Sequence, residues 1–207
     1  MSGISRYAFF FDAGACSGCK TCQLACKDKN NLGPAVLWRR VYEIAGGGWR
    51  KDGAVWVPDI FAYNISIGCN HCQDPACLKS CPTRAIAKGP EGIVLLDRRR
   101  CIGCRYCEWS CPYGAPRYDA EKGVAGKCDF CFDLIEAGGT PACVAACPMR
   151  ALDFGDLEDL RSRHGGREEI FPLPEASLTG PSLLVRPHRD AGKPGTAGPG
   201  IANKEEV

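Results

Sequence analysis

Long hydrophobic runs are the first thing this 207-residue sequence lacks. No stretch approaches the roughly 20 consecutive apolar residues that a membrane-spanning helix needs, so any link to a bilayer is expected to come through a partner. A cleavable export segment is not expected either. Tyr7-Ala8-Phe9-Phe10-Phe11 is too short for a signal h-region and runs straight into Asp12, so it reads as a first strand. An excess of charge of one sign is also missing. Lys plus Arg number 26 against 24 Asp plus Glu, a net charge of +2, which gives no electrostatic reason to expect a nucleic acid.

Cysteine, by contrast, is abundant. Sixteen cysteines with 25 glycines and 15 prolines predict many short tight loops and few long regular elements, held by something other than a large apolar core. Disulfides, zinc and iron-sulfur clusters each demand a different spacing. The cysteines fall into four groups of four: Cys16, Cys19, Cys22 and Cys26; Cys69, Cys72, Cys77 and Cys81; Cys101, Cys104, Cys107 and Cys111; Cys128, Cys131, Cys143 and Cys147. Groups one and three read C-x2-C-x2-C-x3-C, and groups two and four widen only the middle gap.

Three tight-loop thiolates plus a more distant fourth suit a cubane cluster, and C-x2-C-x2-C-x3-C-P is the bacterial ferredoxin run. In that run the fourth cysteine ligates the neighbouring cluster, so runs work in crossed pairs. Zinc prefers two ligand pairs separated by a longer segment, which only group four superficially allows. Disulfides are disfavoured because cysteines three residues apart in triplicate are poorly placed to pair within a loop.

Pro82, Pro112 and Pro148 follow the last cysteine of groups two, three and four, whereas group one has Lys27 there. Proline at that point predicts that the chain leaves the loop and enters a short helix. Val55-Trp56-Val57, Ile60 through Ile67 and Ile93 through Asp97 predict strands of small antiparallel sheets. Asp156 through Arg161 predicts a helix, and from about residue 171 proline and glycine dominate, which predicts an irregular tail.

Other residues near the groups carry plainer readings. His71 lies between Cys69 and Cys72, but all four cysteines of its group are present, so it reads as a hydrogen-bond donor beside the cluster or as a solvated ring. Tyr106, Trp109 and Tyr113 read as packing that excludes water. Arg98-Arg99-Arg100 reads as a solvated face, with Arg105 as a candidate for docking a partner. His164 and His188 have no assigned role.

Cys16-Ser17-Gly18-Cys19-Lys20-Thr21-Cys22, Tyr42-Glu43-Ile44-Ala45-Gly46-Gly47, Cys101-Ile102-Gly103-Cys104-Arg105-Tyr106-Cys107, Cys111-Pro112-Tyr113-Gly114-Ala115-Pro116 and the ending Ala202-Asn203-Lys204-Glu205-Glu206-Val207 carry a resemblance. Through them the protein resembles the iron-sulfur subunit of the anaerobic dimethyl sulfoxide reductase family of molybdenum enzymes. The resemblance implies an α+β fold of two ferredoxin-like modules, each with two 4Fe-4S clusters, one module inserted in the other. The first module then spans 1–60 and 120–160, the inserted one 61–119, and an extended tail, 161–207, lies along partner subunits.

By the same resemblance, groups one and four pair, as do groups two and three. One cluster is held by Cys16, Cys19, Cys22 and Cys147, and a second by Cys69, Cys72, Cys77 and Cys111. A third is held by Cys101, Cys104, Cys107 and Cys81, and a fourth by Cys128, Cys131, Cys143 and Cys26. Some relatives have Trp at the position of Cys104 and carry a 3Fe-4S cluster there; cysteine implies four 4Fe-4S clusters.

The implied role is non-catalytic, an electron relay between a quinol-oxidising integral membrane anchor and a molybdopterin catalytic subunit. The group-one cluster faces the catalytic subunit and the group-three cluster the anchor. Dimethyl sulfoxide is the implied substrate, with related polysulfide, thiosulfate, tetrathionate, sulfite, selenate or arsenate complexes and a free-standing polyferredoxin as alternatives. The protein is expected at a membrane through its partners, on the periplasmic side by co-export or on the cytoplasmic side.

Overall fold

The computed structural model describes residues 6–192 and 200–207. The readings placed on residues 1–5 and on 193–199 of the tail lie outside the described residues. In sequence order the fold contains β1 (Tyr7–Asp12), α1 (Thr21–Lys29), β2 (Arg40–Gly46), β3 (Trp49–Asp52), β4 (Val55–Pro58) and β5 (Phe61–Ile67). There follow α2 (Ala76–Lys79), β6 (Ile86–Lys88), β7 (Val94–Leu96), α3 (Tyr106–Ser110), β8 (Arg117–Asp119) and β9 (Val124–Gly126). The fold continues through α4 (Phe132–Glu136), α5 (Ala142–Ala145), β10 (Leu152–Asp156), α6 (Leu157–His164), β11 (Leu183–Arg186) and β12 (Gly200–Ile201). The result is a mixed α/β fold of short elements.

The apolar run after Tyr7 is unbroken because β1 is a central strand covered on both faces. It pairs antiparallel with β10 and parallel with β11. Phe9 and Phe11 enter the main core, where Phe9 stacks on Phe130 with ring centroids 4.1 Å apart. Ala8 and Phe10 face the other way, against Leu157, Leu160 and Leu184. Asp156 caps α6 by accepting from the Glu158 N–H at 3.0 Å, and the helix runs on to His164, past the expected end.

A second sheet orders β12, β2 and β5, with Val41 and Ile44 of β2 and the alternating Tyr63, Ile65 and Ile67 of β5 turned inward. Three hairpins complete the fold: β3–β4, which stands almost wholly exposed, β6–β7 and β8–β9. Helix α1 packs on α5, and α2 on α3.

Two expectations need correction. Part of the predicted irregular tail is core: β11 lies inside the main sheet, with Leu184 and Val185 fully buried, because an apolar Leu-Leu-Val run beside β1 satisfies both its backbone and its side chains there. No helix follows Pro82, Pro112 or Pro148; α2, α3 and α5 precede those prolines, and the segment after each makes a turn and enters β6, β8 or β10. A residue without an N–H stops a helix more readily than it starts one at these positions.

Candidate metal centres

The four groups share one backbone device. The residue just before the second cysteine has a left-handed conformation in each: Gly18 at φ 71°, His71 at 42°, Gly103 at 70° and Phe130 at 65°. Glycine adopts it without steric cost. At position 103 a side chain would also run into the Gly123 carbonyl. His71 and Phe130 accept the cost, and both are fully buried with their rings meeting edge-on, centroids 5.1 Å apart.

The fourth cysteines share a second device. Cys81, Cys111 and Cys147 each accept at Sγ from the backbone N–H four residues on, from Ala85 at 3.2 Å, Ala115 at 3.4 Å and Ala151 at 3.3 Å. Between them, Arg84, Gly114 and Arg150 take the positive φ that turns the backbone. Group one differs because Lys27 replaces proline: α1 runs on through Cys26, and the side-chain amide of Asn30 lies 3.8 Å from Cys26 Sγ in place of a backbone donor. The pattern C-P-x-x-A is visible in the sequence, although its purpose emerges only from these contacts.

Distant cysteines come together. Cys16, Cys19, Cys22 and Cys147 line one cavity, with Phe11, Val41 and Leu152 as apolar walls. Cys69, Cys72, Cys77 and Cys111 line another, walled by Val94, Ala115 and Pro75. Burial pushes the Cys107 thiol up to about 11, and its neighbours Cys101, Cys104 and Cys81 push the same way. Burial takes Cys26 up to about 12, opposed by Arg39 and reinforced by Cys143 and Cys131. Cys128 is raised by burial and then by Cys26, Cys69 and Cys143.

This donor set fits iron and sulfide. All sixteen cysteines are free of disulfides. Among the described residues no three His, Cys, Asp or Glu side chains converge as they would on a single metal ion, so the thiols surround cavities instead of a point. Burial also pushes Cys16 and Cys72 up to about 11 and Cys77 up to about 12, and iron, by deprotonating such thiols, would turn them into ligands.

Several side chains outside the motifs reach the sulfurs. Ser66 Oγ lies 3.3 Å from Cys22 Sγ, Thr179 Oγ1 donates to Cys72 Sγ at 3.2 Å, and Thr21 Oγ1 donates to Cys19 Sγ at 3.3 Å. Sequence reading missed Ser66 and Thr179 because nothing local marks them. It also missed Arg39 and Lys127, two cations buried among these loops.

The expected roles divide as follows. His71 is no solvated ring: its Nδ1 accepts from the Val94 N–H at 3.0 Å, and burial, with Lys127 and Arg39 nearby, holds it neutral. Tyr113 is buried as expected, whereas Trp109 and Tyr106 are 68% and 52% exposed, touching each other at 5.7 Å instead of sealing the site. Arg105 donates to Glu108 at 2.8 Å and lies over the Tyr118 ring, and Arg99 pairs with Asp97. His164 bonds Asp153 at 2.7 Å and stacks on Phe10, and His188 stacks on Tyr63.

A family profile for a 4Fe-4S dicluster domain matches residues 60–157, which hold groups two, three and four. The sequence is 49% identical to the B subunit of anaerobic dimethyl sulfoxide reductase from Escherichia coli (strain K12) over 203 residues, covering 98% of this protein and 99% of the relative. It is 48% identical to the B subunit of anaerobic dimethyl sulfoxide reductase from Haemophilus influenzae over 206 residues, 99% of this protein and 100% of the relative. It is 35% identical to the thiosulfate reductase electron transfer subunit of Salmonella typhi over 184 residues, 88% and 93% of the two proteins.

Proposed function

The protein belongs to the family of iron-sulfur B subunits of anaerobic dimethyl sulfoxide reductases, and from that premise we propose that it holds four 4Fe-4S clusters in crossed ligand sets. It is an electron-transfer subunit and not the catalytic one. The proposed sets are Cys16, Cys19, Cys22 with Cys147; Cys69, Cys72, Cys77 with Cys111; Cys101, Cys104, Cys107 with Cys81; and Cys128, Cys131, Cys143 with Cys26. The observation that carries the reading is the cavity lined by three cysteines of group one and the last cysteine of group four, matched by a cavity lined by three of group two and the last of group three.

Two nested ferredoxin-like modules accord with this reading. Pairing of β1 with β10 and packing of α1 on α5 would close the outer module from segments far apart in sequence, with groups two and three in the inserted one. The Cys101 set and the Cys69 set then adjoin through α2 and α3, where Ser80 and Ser110 hydroxyls meet at 2.8 Å. Cys128 neighbours Cys69, and Cys22 neighbours Cys143, which supports an order of sites from group three through groups two and four to group one.

When bound, such clusters supply one-electron relay, here between a membrane anchor that oxidises quinol and a molybdopterin catalytic subunit. The protein's own residues orient the thiols, keep water out with Phe11, Val41, Val94 and Leu152, and direct N–H and O–H groups at sulfur. The exposed Ile102, Tyr106 and Trp109 beside group three suit docking of the anchor. Among the described residues no helix is long and apolar enough to cross a membrane. The proposed attachment is through partner subunits, with the periplasmic side favoured by co-export with the catalytic subunit. Dimethyl sulfoxide is the proposed terminal substrate, and the 35% identity to the thiosulfate reductase subunit makes a related sulfur oxyanion the second reading.

Total iron and acid-labile sulfide on anaerobically purified protein test this, with electron spin resonance of the reduced form and identification of co-purifying subunits. About sixteen iron atoms per protein and an attached large molybdenum subunit are expected. Bound zinc without labile sulfide would overturn the account.

A further inference from the structure

Among the described residues three cations are buried, Arg39, Arg40 and Lys127, and the first and last of these lie between cysteine groups. Arg39 is 3% exposed, and its guanidinium donates to Ser66 Oγ at 3.1 Å and lies 4.9 Å from the centroid of the Phe9 ring. Lys127 is likewise 3% exposed; its Nζ donates to the carbonyls of Val94 and Cys128, the latter at 2.9 Å, and reaches Cys69 Sγ at 3.7 Å. Among the described residues no carboxylate lies within ion-pair distance of either. A buried charge with no counter-charge is strongly unfavourable, so these positions call for anions close by.

Arg39 reaches group one through Ser66, whose Oγ lies 3.3 Å from Cys22 Sγ, and group four through Phe9, which stacks on Phe130 at 4.1 Å; the thiols that would attract the guanidinium once ionised are those of Cys143, Cys22, Cys128 and Cys26. They belong to two neighbouring sites. Lys127 stands between the Cys69 sulfur and the Cys128 carbonyl, so it meets the group-two site at a sulfur and adjoins the group-four site through the backbone of its neighbouring cysteine. His71, flanked by both cations, is held neutral and adds no third charge. Arg40, also buried, faces Cys111 and donates to the Tyr113 carbonyl at 2.6 Å, so it borders one site and no junction. Around Cys101, Cys104, Cys107 and Cys81 the basic side chains Arg98, Arg100 and Arg105 are exposed and screened by water.

We propose that Arg39 and Lys127 are positioning charges that raise the reduction potentials of the clusters on either side of them, Arg39 at the junction of the group-one and group-four sites and Lys127 at the junction of the group-four and group-two sites. The inference rests on the crossed ligand sets proposed above. A cluster ligated by four thiolates is an anion that gains one more negative charge on reduction, and a fixed positive charge in a poorly screened interior favours the reduced form. Placement at junctions makes one charge act on two clusters, and the group-four site, which lies between the two cations, feels both. The group-three site, with only screened cations, is left outside this control.

The test is redox titration of purified holoprotein followed by electron spin resonance, on Arg39→Gln, Arg39→Lys, Lys127→Met and Lys127→Arg beside the unsubstituted protein, with iron and sulfide assayed in each. Arg39→Gln should lower the potentials of two clusters, Lys127→Met should lower those of two with one in common, and the charge-keeping variants should hold theirs. Loss of clusters from a charge-removing variant, with full retention in its charge-keeping counterpart, supports the same conclusion, because the charge is then needed to hold the anion. Unchanged or raised potentials in Arg39→Gln and Lys127→Met, or equal cluster loss in both variants at a position, would overturn it. Absence of labile sulfide from the unsubstituted protein would instead defeat the four-cluster reading, so the two failures are distinct.

Discussion

The hydroxyl of Thr179 donates to Cys72 Sγ across 3.2 Å, and the contact joins positions 107 residues apart. It belongs to a clamp in which the stretch before β11 closes over the group-two loop. Ser182 Oγ donates to the His71 carbonyl at 2.8 Å, and the Gln73 N–H donates to the Gly180 carbonyl at 2.7 Å. Arg6 secures that stretch from beside β1, donating to Ser182 Oγ at 2.7 Å and to the Gly180 carbonyl at 2.6 Å. Segments far apart in the sequence therefore bear on a sulfur between them.

Replacing Thr179 with valine keeps the shape and removes the donor. Hydrogen bonds to a cluster thiolate favour its more negative, reduced state, so Thr179→Val should lower the potential of the cluster bound through Cys72 while leaving iron content unchanged. Redox titration checks this. A potential that stays put would reduce the contact to packing.

Gly103 and Gly53 offer a matched pair. Both have positive φ, 70° and 61°, but a side chain at 103 meets the Gly123 carbonyl whereas one at 53 meets nothing within 4 Å. Alanine at 53 should cost about 1 kcal/mol from the left-handed conformation alone, and alanine at 103 should cost about 2 kcal/mol or more because backbone must also shift. Thermal unfolding of both variants measures the difference, and equal losses would mean the Gly103 turn is free to relax.

Cys104→Ser removes one thiolate from the group-three set. The expected result is loss or conversion of that cluster alone, a fall of up to about a quarter in bound iron. Quinol-linked electron transfer should drop sharply, while reduction by an artificial donor acting nearer group one should persist. Full quinol-linked activity would refute the proposed order of sites.

Iron removal should unfold the protein. Cys69, Cys72, Cys77, Cys128, Cys131 and Cys143 of groups two and four lie in the interior with Arg39 and Lys127, and without iron those cations lose the anions that justify their burial. Anaerobic chelation followed by circular dichroism and hydrodynamic sizing is the check. A protein that stayed compact would show that β1, β10 and β11 with their apolar cover suffice on their own.

What could be read from the sequence was local. Gly18 and Gly103 in C-x-x-C, the proline after three of the four groups and Lys27 in its place are features of a few residues, so the loop type and its chemistry were legible there. Strands such as Tyr7–Asp12 and Phe61–Ile67 were legible for the same reason, because an apolar run or alternation marks a strand wherever it later lies. Even within that range proline misled: it marked the boundary of an element correctly and its direction wrongly, since the helix precedes it.

The tertiary structure decided which parts meet. That Cys147 borders the cavity of group one, that Leu183–Arg186 becomes an inner strand despite its proline-rich surroundings, and that Thr179, Ser66, Arg39 and Lys127 come to lie beside sulfur are contacts between distant segments. No short window encodes them. They follow from burying both faces of β1 at once, which brings β10 and β11 alongside it and carries their flanking loops to the cysteine groups.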